Sequence, residues 1–162
     1  MPRVNYVKKA RKPDKEYGIK KGQSYYWWKF PYGAKIKSKT KPRRQQLTRS
    51  GYQIALYDIE DIKNNMMPAH GADYIRDDLE NIKQMVSDLQ DECKKSLENM
   101  PEQLQKTSAA GCVLTERIEL LECYYVDLDN IAIDEDDVDN DTSINDYLQE
   151  KIDEIQGCEP YY

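Results

Sequence analysis

The chain has 162 residues, 39% hydrophobic and 33% charged, and its formal net charge of −6 hides two opposite bodies. Residues 1–50 hold 16 Lys/Arg against Asp14 and Glu16, a net of +14, so residues 51–162, with 8 basic and 28 acidic side chains, carry −20. The length supports one core or a small core with an appendage, the absence of any run of ~20 apolar residues excludes a membrane-spanning helix, and a basic segment followed by no apolar run is not a secretory signal.

Residues 1–22 are basic, contain Pro2, Pro13, Gly18 and Gly22 and show no periodicity; the expectation is a flexible arm that orders only against a partner. Residues 23–65 are expected to form a basic, aromatic β-hairpin followed by a helix. Tyr25-Tyr26-Trp27-Trp28-Lys29-Phe30 has strong strand preference. Pro31-Tyr32-Gly33-Ala34 reads as a turn in which Pro presets φ and Gly accepts positive φ. Lys35-Ile36-Lys37-Ser38-Lys39-Thr40 alternates strictly, which places Lys35, Lys37 and Lys39 on one face. Beyond the connector Lys41-Pro42-Arg43-Arg44, a helix from about Ser50 to Asn64 would gather Ile54/Ala55, Ile59 and Ile62 on one side.

Residues 72–131 give the clearest periodicity. Ile75, Leu79, Ile82, Val86, Leu89 and Cys93 are spaced 4, 3, 4, 3, 4, and Leu97 continues the stripe. Asn99-Met100-Pro101 ends that helix, a short loop follows, and Thr107 or Ser108 caps a second helix with Leu114, Ile118, Leu121, Tyr125 and Leu128 in line. Two such helices joined by a short loop should pack antiparallel. Residues 132–162 read as an acidic loop and a last helix, Ser143 to Gln156, with Ile144, Leu148, Ile152 and Ile155 on one face and Gly157 as its stop. The fold class is therefore mainly α with a small β-hairpin: a basic arm, hairpin and helix, then an acidic antiparallel coiled-coil helical hairpin with a short C-terminal helix.

The chemistry of the basic third fits a polyanion. Aromatic rings stack on bases and lysines neutralise phosphates, which makes Lys20, Lys21, Trp27, Trp28, Lys29, Lys35, Lys37, Lys39, Arg43 and Arg44 the candidate nucleic-acid-binding residues. Adjacent tryptophans on a strand point to opposite faces, so one is core and the other a contact. The plain structural alternative has these aromatics closing a mini-core beneath solvated lysines. A third possibility is an acidic protein surface as the partner. Asp137, Asp139 and Asp141 match the first three calcium positions of an EF-hand loop, but Thr142 and Leu148 replace its Gly and Glu, so no metal site is expected. The carboxylates Asp77, Asp78, Glu80, Asp88, Asp91, Glu92, Glu116, Glu119 and Glu122 offer an alternative function, mimicry of a nucleic acid's charge. One histidine, no Gly-rich phosphate loop and no G-x-S-x-G argue against an enzyme, and no cofactor is expected. Cys93, Cys112, Cys123 and Cys158 lack C-x-x-C spacing and read as reduced thiols, with a Cys93–Cys123 bridge as the alternative.

Gly18-Ile19-Lys20-Lys21-Gly22-Gln23-Ser24-Tyr25-Tyr26-Trp27-Trp28-Lys29-Phe30, followed in order by Ser38-Lys39-Thr40-Lys41-Pro42, Gln46-Leu47-Thr48 and Asn99-Met100-Pro101-Glu102, resembles a widespread family of uncharacterised tailed-bacteriophage proteins. The aromatic strand, Gly turn and basic strand are also similar to the arm-type DNA-binding hairpin of phage integrases, a likeness at fold level only. The first resemblance implies a phage origin and action in the cytoplasm of an infected bacterial host. The expected function is thus a non-enzymatic accessory protein. It would bind nucleic acid, or a host nucleoprotein such as a ribosome or polymerase, while the helical hairpin contacts protein or self-associates. The alternatives are an acidic inhibitor of a host defence or nucleic-acid enzyme and a structural virion protein.

Overall fold

Strand β2 (Tyr25–Lys29) is the centre of a three-stranded antiparallel sheet in the computed structural model, which describes residues 1–134 and 143–160. On one edge, β3 (Lys35–Ser38) sets Trp27 opposite Lys37 and Trp28 opposite Ile36. On the other edge, β1 (Asn5–Val7) sets Asn5 opposite Trp27. Residues 1–22 are therefore not the unstructured arm expected from their composition. After β1 the chain doubles back: Asp14 and Ile19 exchange backbone hydrogen bonds, and the Ala10 and Gly22 backbones pair at 2.9 Å. Gly18 and Gly22 take positive φ, 62° and 84°, and close these turns as few other residues could. Ala10, Ile19 and Trp28 are buried as a result.

A 3₁₀ turn (Arg44–Leu47) leads to helix α1 (Gly51–Asn65). Its buried positions are Tyr52, Leu56, Ile59 and Lys63; of the expected row Ile59 is buried, while Ile54, Ala55 and Ile62 are only half-buried. Tyrosine and lysine carry large apolar bodies that a hydropathy reading scores as polar. The chain divides into two units, residues 1–57 and 58–162, with the boundary inside α1. Residues 51–57 hold no charged side chain, so the first unit carries the whole +14 and the second the whole −20.

The second unit is built on α2 (Ala72–Glu98) and α4 (Ala109–Asp129), packed as an antiparallel hairpin. Lys83 donates to Asp129 at 3.1 Å and the Gln90 amide donates to the Ile118 carbonyl at 3.3 Å, which fixes the opposed directions. Ile75, Leu79, Ile82, Val86, Leu89 and Cys93 are all buried, as their spacing requires, and Leu97 is half-buried. On α4 the stripe departs from expectation: Tyr124, not Tyr125, enters the core beside Leu121 and Leu128. The residues expected to be loop between the helices include a short helix α3 (Glu102–Thr107). Ser108 caps α4, its hydroxyl accepting from the Gly111 N–H at 3.0 Å. Gly111 is buried, and a Cβ there would overlap the Gln105 carbonyl.

Helix α5 (Ile144–Gly157) buries Leu148, Ile152 and Ile155, while Ile144 stays exposed and Gly157 lies within the helix rather than beyond it. Its C-terminal end is held by Lys63, whose ammonium donates to the Cys158 carbonyl and, at 3.4 Å, to the Tyr124 hydroxyl. Burial pushes the Lys63 pKa down and the Tyr124 pKa up. Cys93 is buried and Cys123 exposed, and the four cysteines are free thiols. The partial calcium pattern at Asp137, Asp139 and Asp141 lies outside the described residues. Among the described residues, no helix is long and apolar enough to cross a membrane, and no cluster of His, Cys, Asp and Glu could hold a metal.

Candidate nucleic-acid interface

Strand register sorts the hairpin's side chains into two faces, because directly opposed residues point the same way and neighbours along a strand alternate. Trp28, Tyr26, Ile36 and Ser38 share one face with Tyr6; Trp27, Tyr25, Lys29, Lys35 and Lys37 share the other with Asn5 and Val7. The first is the packing face. Trp28 is 2% exposed, so it is core and is withdrawn from the candidate contacts. Its indole N–H is buried without a hydrogen-bond partner among the described residues. The Tyr6 and Tyr26 rings meet with centroids 4.9 Å apart.

The second face is basic and aromatic. The Lys35 ammonium lies over the Trp27 indole, 3.5 Å from the ring centroid, a cation–π contact that holds the charge in place. Lys29 sits opposite Lys35 at the end of the ladder, and both are exposed. Two like charges opposed across a ladder repel, so this pair lowers stability while concentrating positive potential. The Tyr17 hydroxyl donates to the Lys35 carbonyl at 3.3 Å and borders the same face.

Lys37 differs from its neighbours. It forms an ion pair with Asp14, across 23 residues of sequence, and is only partly exposed. The hydrogen bond from Lys37 holds the Asp14 carboxyl below its usual range, and the same bond raises Lys37. Lys37 therefore pins the folded-back segment 14–19 to the sheet and is already neutralised. It is a fastening rather than an open phosphate contact.

The remaining candidates are scattered. Lys20 and Lys21 are exposed in the turn after Ile19. Lys39 lies past the end of β3, its ammonium beside Gly18, so it does not continue the row expected from strict alternation. Arg43 is exposed at the start of the 3₁₀ turn, where its N–H donates to the Gln46 side chain at 3.0 Å, and the Arg44 guanidinium lies 5.9 Å from the Tyr57 ring.

Three participants escape the sequence reading: Tyr17, Arg49 and Tyr32. The Arg49 guanidinium stacks over the Phe30 ring at 4.7 Å. It also covers Gly33, where a Cβ would stand 2.6 Å from the Arg49 Nη2. Gly33 thus leaves room for the Arg49 guanidinium, and its φ is not positive. Positive φ falls on Tyr32, at 58°. The Gly33 N–H donates to the Phe30 carbonyl at 3.1 Å, so Tyr32 is the third residue of a turn that places positive φ there. A non-glycine residue is disfavoured in this region by roughly 1–2 kcal/mol. No local pattern of hydropathy marks Arg49 or Tyr32, since both roles arise from packing about the hairpin loop.

No family model matches the chain, and neither does any curated protein or solved structure.

Proposed function

We propose that the basic unit, residues 1–57, binds nucleic acid or a nucleoprotein such as a ribosome or polymerase, through the sheet face built on Trp27. The observation that carries this reading is Lys35 held over Trp27 beside Lys29, on a unit whose net charge is +14. With Lys35 over the indole, the ring serves first as a platform for an ammonium directed at phosphate. The resemblance to phage proteins supports a phage origin, and with the lack of catalytic motifs the reading is of a non-enzymatic accessory protein acting in the host cytoplasm. The acidic unit would contact protein, or a second copy of itself, and would keep nucleic acid away from its own surface.

The test is a fluorescence titration of DNA and RNA across a salt series. The wild-type protein is expected to bind with a steep salt dependence. Lys29→Glu/Lys35→Glu should weaken binding at least tenfold and reduce the salt slope by about two, one for each phosphate no longer neutralised. Lys37 is left intact because its reversal would set a glutamate against Asp14. Absence of binding at low salt would overturn the proposal.

The second reading, charge mimicry, draws on the exposure of Asp77, Glu80, Asp88, Asp91, Glu92, Glu116, Glu119 and Glu122 on α2 and α4; Asp78 is half-buried. It predicts that Lys29→Glu/Lys35→Glu leaves activity untouched, while charge reversal along the helical hairpin removes it.

A further inference from the structure

The hairpin loop joining β2 to β3 carries a feature that the phosphate-binding face leaves unexplained. Tyr32 is 108% exposed at the apex, in a backbone conformation suited to glycine, although a glycine is available one position later. Among the described residues its ring enters no hydrogen bond, ring stack or cation–π pair. Burial therefore does not repay the conformation. Strained residues at an exposed apex point to a contact made with something else.

The surroundings identify the chemistry. Tyr32 lines a cleft of about 720 Å3 together with Lys29, Phe30, Pro31, Leu47 and Arg49. Arg49 is held over Phe30 at 4.7 Å, which leaves a fixed guanidinium within a mostly aromatic and aliphatic wall. The exposed Tyr32 ring, a mainly apolar lining and two cations, of which Arg49 is held in place, together suit a planar, π-faced group attached to an anion. Lys35 covers one face of the Trp27 indole, whereas the Tyr32 ring carries no such cover.

From this geometry we infer that the Tyr32 loop is a second subsite, adjoining the sheet face through the shared Lys29, which takes an unpaired nucleobase by stacking on Tyr32 with its phosphate beside Arg49 and Lys29. The inference rests on the nucleic-acid reading above and sharpens it: the preferred ligand has single-stranded character, because a base inside a duplex has no open face for the tyrosine. The sheet face grips the backbone and the loop selects unpaired bases.

The experiment compares the full-length wild type with Tyr32→Gly and Tyr32→Phe, binding to short oligo(dT), oligo(U), a blunt DNA duplex and polyglutamate. Tyr32→Gly is expected to lose about tenfold in affinity for the single strands, to keep duplex affinity, and to melt at a higher temperature because the strain is relieved. Tyr32→Phe should bind like wild type. Which of the two single strands is preferred identifies DNA or RNA as the source of the base. Unchanged single-strand binding by Tyr32→Gly, with duplex and single-strand binding still weakened by Lys29→Glu/Lys35→Glu, would overturn the loop subsite and spare the sheet face. Loss of polyglutamate binding alone would assign the loop to an acidic protein instead. Failure of every nucleic acid to bind would overturn both.

Discussion

The two units of this chain solve the problem of charge in opposite ways. Among the described residues, the acidic unit keeps most of its carboxylates on the outer surfaces of helices and closes an apolar interior in which Ile75, Ile82, Val86, Leu121, Leu128, Leu148, Ile152 and Ile155 are almost wholly buried. Two of its cations fasten one element to another: Lys83 on α2, paired also with Glu80 of its own helix, reaches Asp129 on α4, and Lys63 holds the end of α5. The basic unit has a much smaller interior and only two acidic side chains, one of which is committed to Lys37. Most of its positive charge has no internal carboxylate to meet. The lesson is that both units carry a surplus, −20 in one and +14 in the other, but the first spreads it around a large apolar interior while the second concentrates it on a small fold, where it is a demand for an external anion.

The comparison can be tested hardest at Trp28. Both tryptophans lie in the first unit, so indole emission follows that unit, whereas helical circular dichroism follows mainly the second. Trp28→Ala should cost about 3–5 kcal/mol of stability. We expect Trp27 emission to move to the red and nucleic-acid binding to disappear, with the helical melt little changed. Equal losses in both signals would show that the two units are not separable in energy.

The converse change is Gly111→Ala. A methyl group there meets backbone of the preceding short helix rather than a mobile side chain, and overpacking of this kind costs about 1–3 kcal/mol. The helical melt should fall while indole emission and binding stay put. A melt at the wild-type temperature would mean that α3 yields more readily than its close approach implies.

The smallest effect is a slope. Lys63 has its pKa lowered in the fold, so between that value and the unfolded value of 10.5 the unfolded chain holds more protons, and stability rises with pH across this interval. Tyr124, raised from 10.0, acts in the other direction: above pH 10 the unfolded chain loses its proton first and stability falls. Lys63→Met should abolish the rising limb and keep the falling one, as read by urea midpoints from neutral to alkaline pH. An unaltered rise would place its origin in another group.

These contrasts also explain what could be read in advance. The α2 stripe was legible because a long amphipathic helix repeats its rule over six buried residues. On α4 the adjacent tyrosines 124 and 125 are interchangeable by composition, and the one that enters the core meets Lys63, 61 residues away, through its hydroxyl. The first 22 residues defeat periodicity because β1 is three residues long and the rest is turns set by Gly18 and Gly22. At the interface, the alternation of Trp27 and Trp28 was evident, but which faced inward depended on the packing of the opposite sheet face. The Lys37–Asp14 pair and the Arg49–Phe30 stack join residues distant in sequence, and no local spacing encodes them.

The fastening at the end of α5 has one more consequence. Lys63 is received there by the main-chain carbonyl of Cys158, not by its thiol. Every amino acid offers that same oxygen, so position 158 is open to drift, or to a reporter dye coupled through its sulfur, without releasing the helix. Position 63 has no such latitude, because only a long cationic side chain reaches that oxygen from α1.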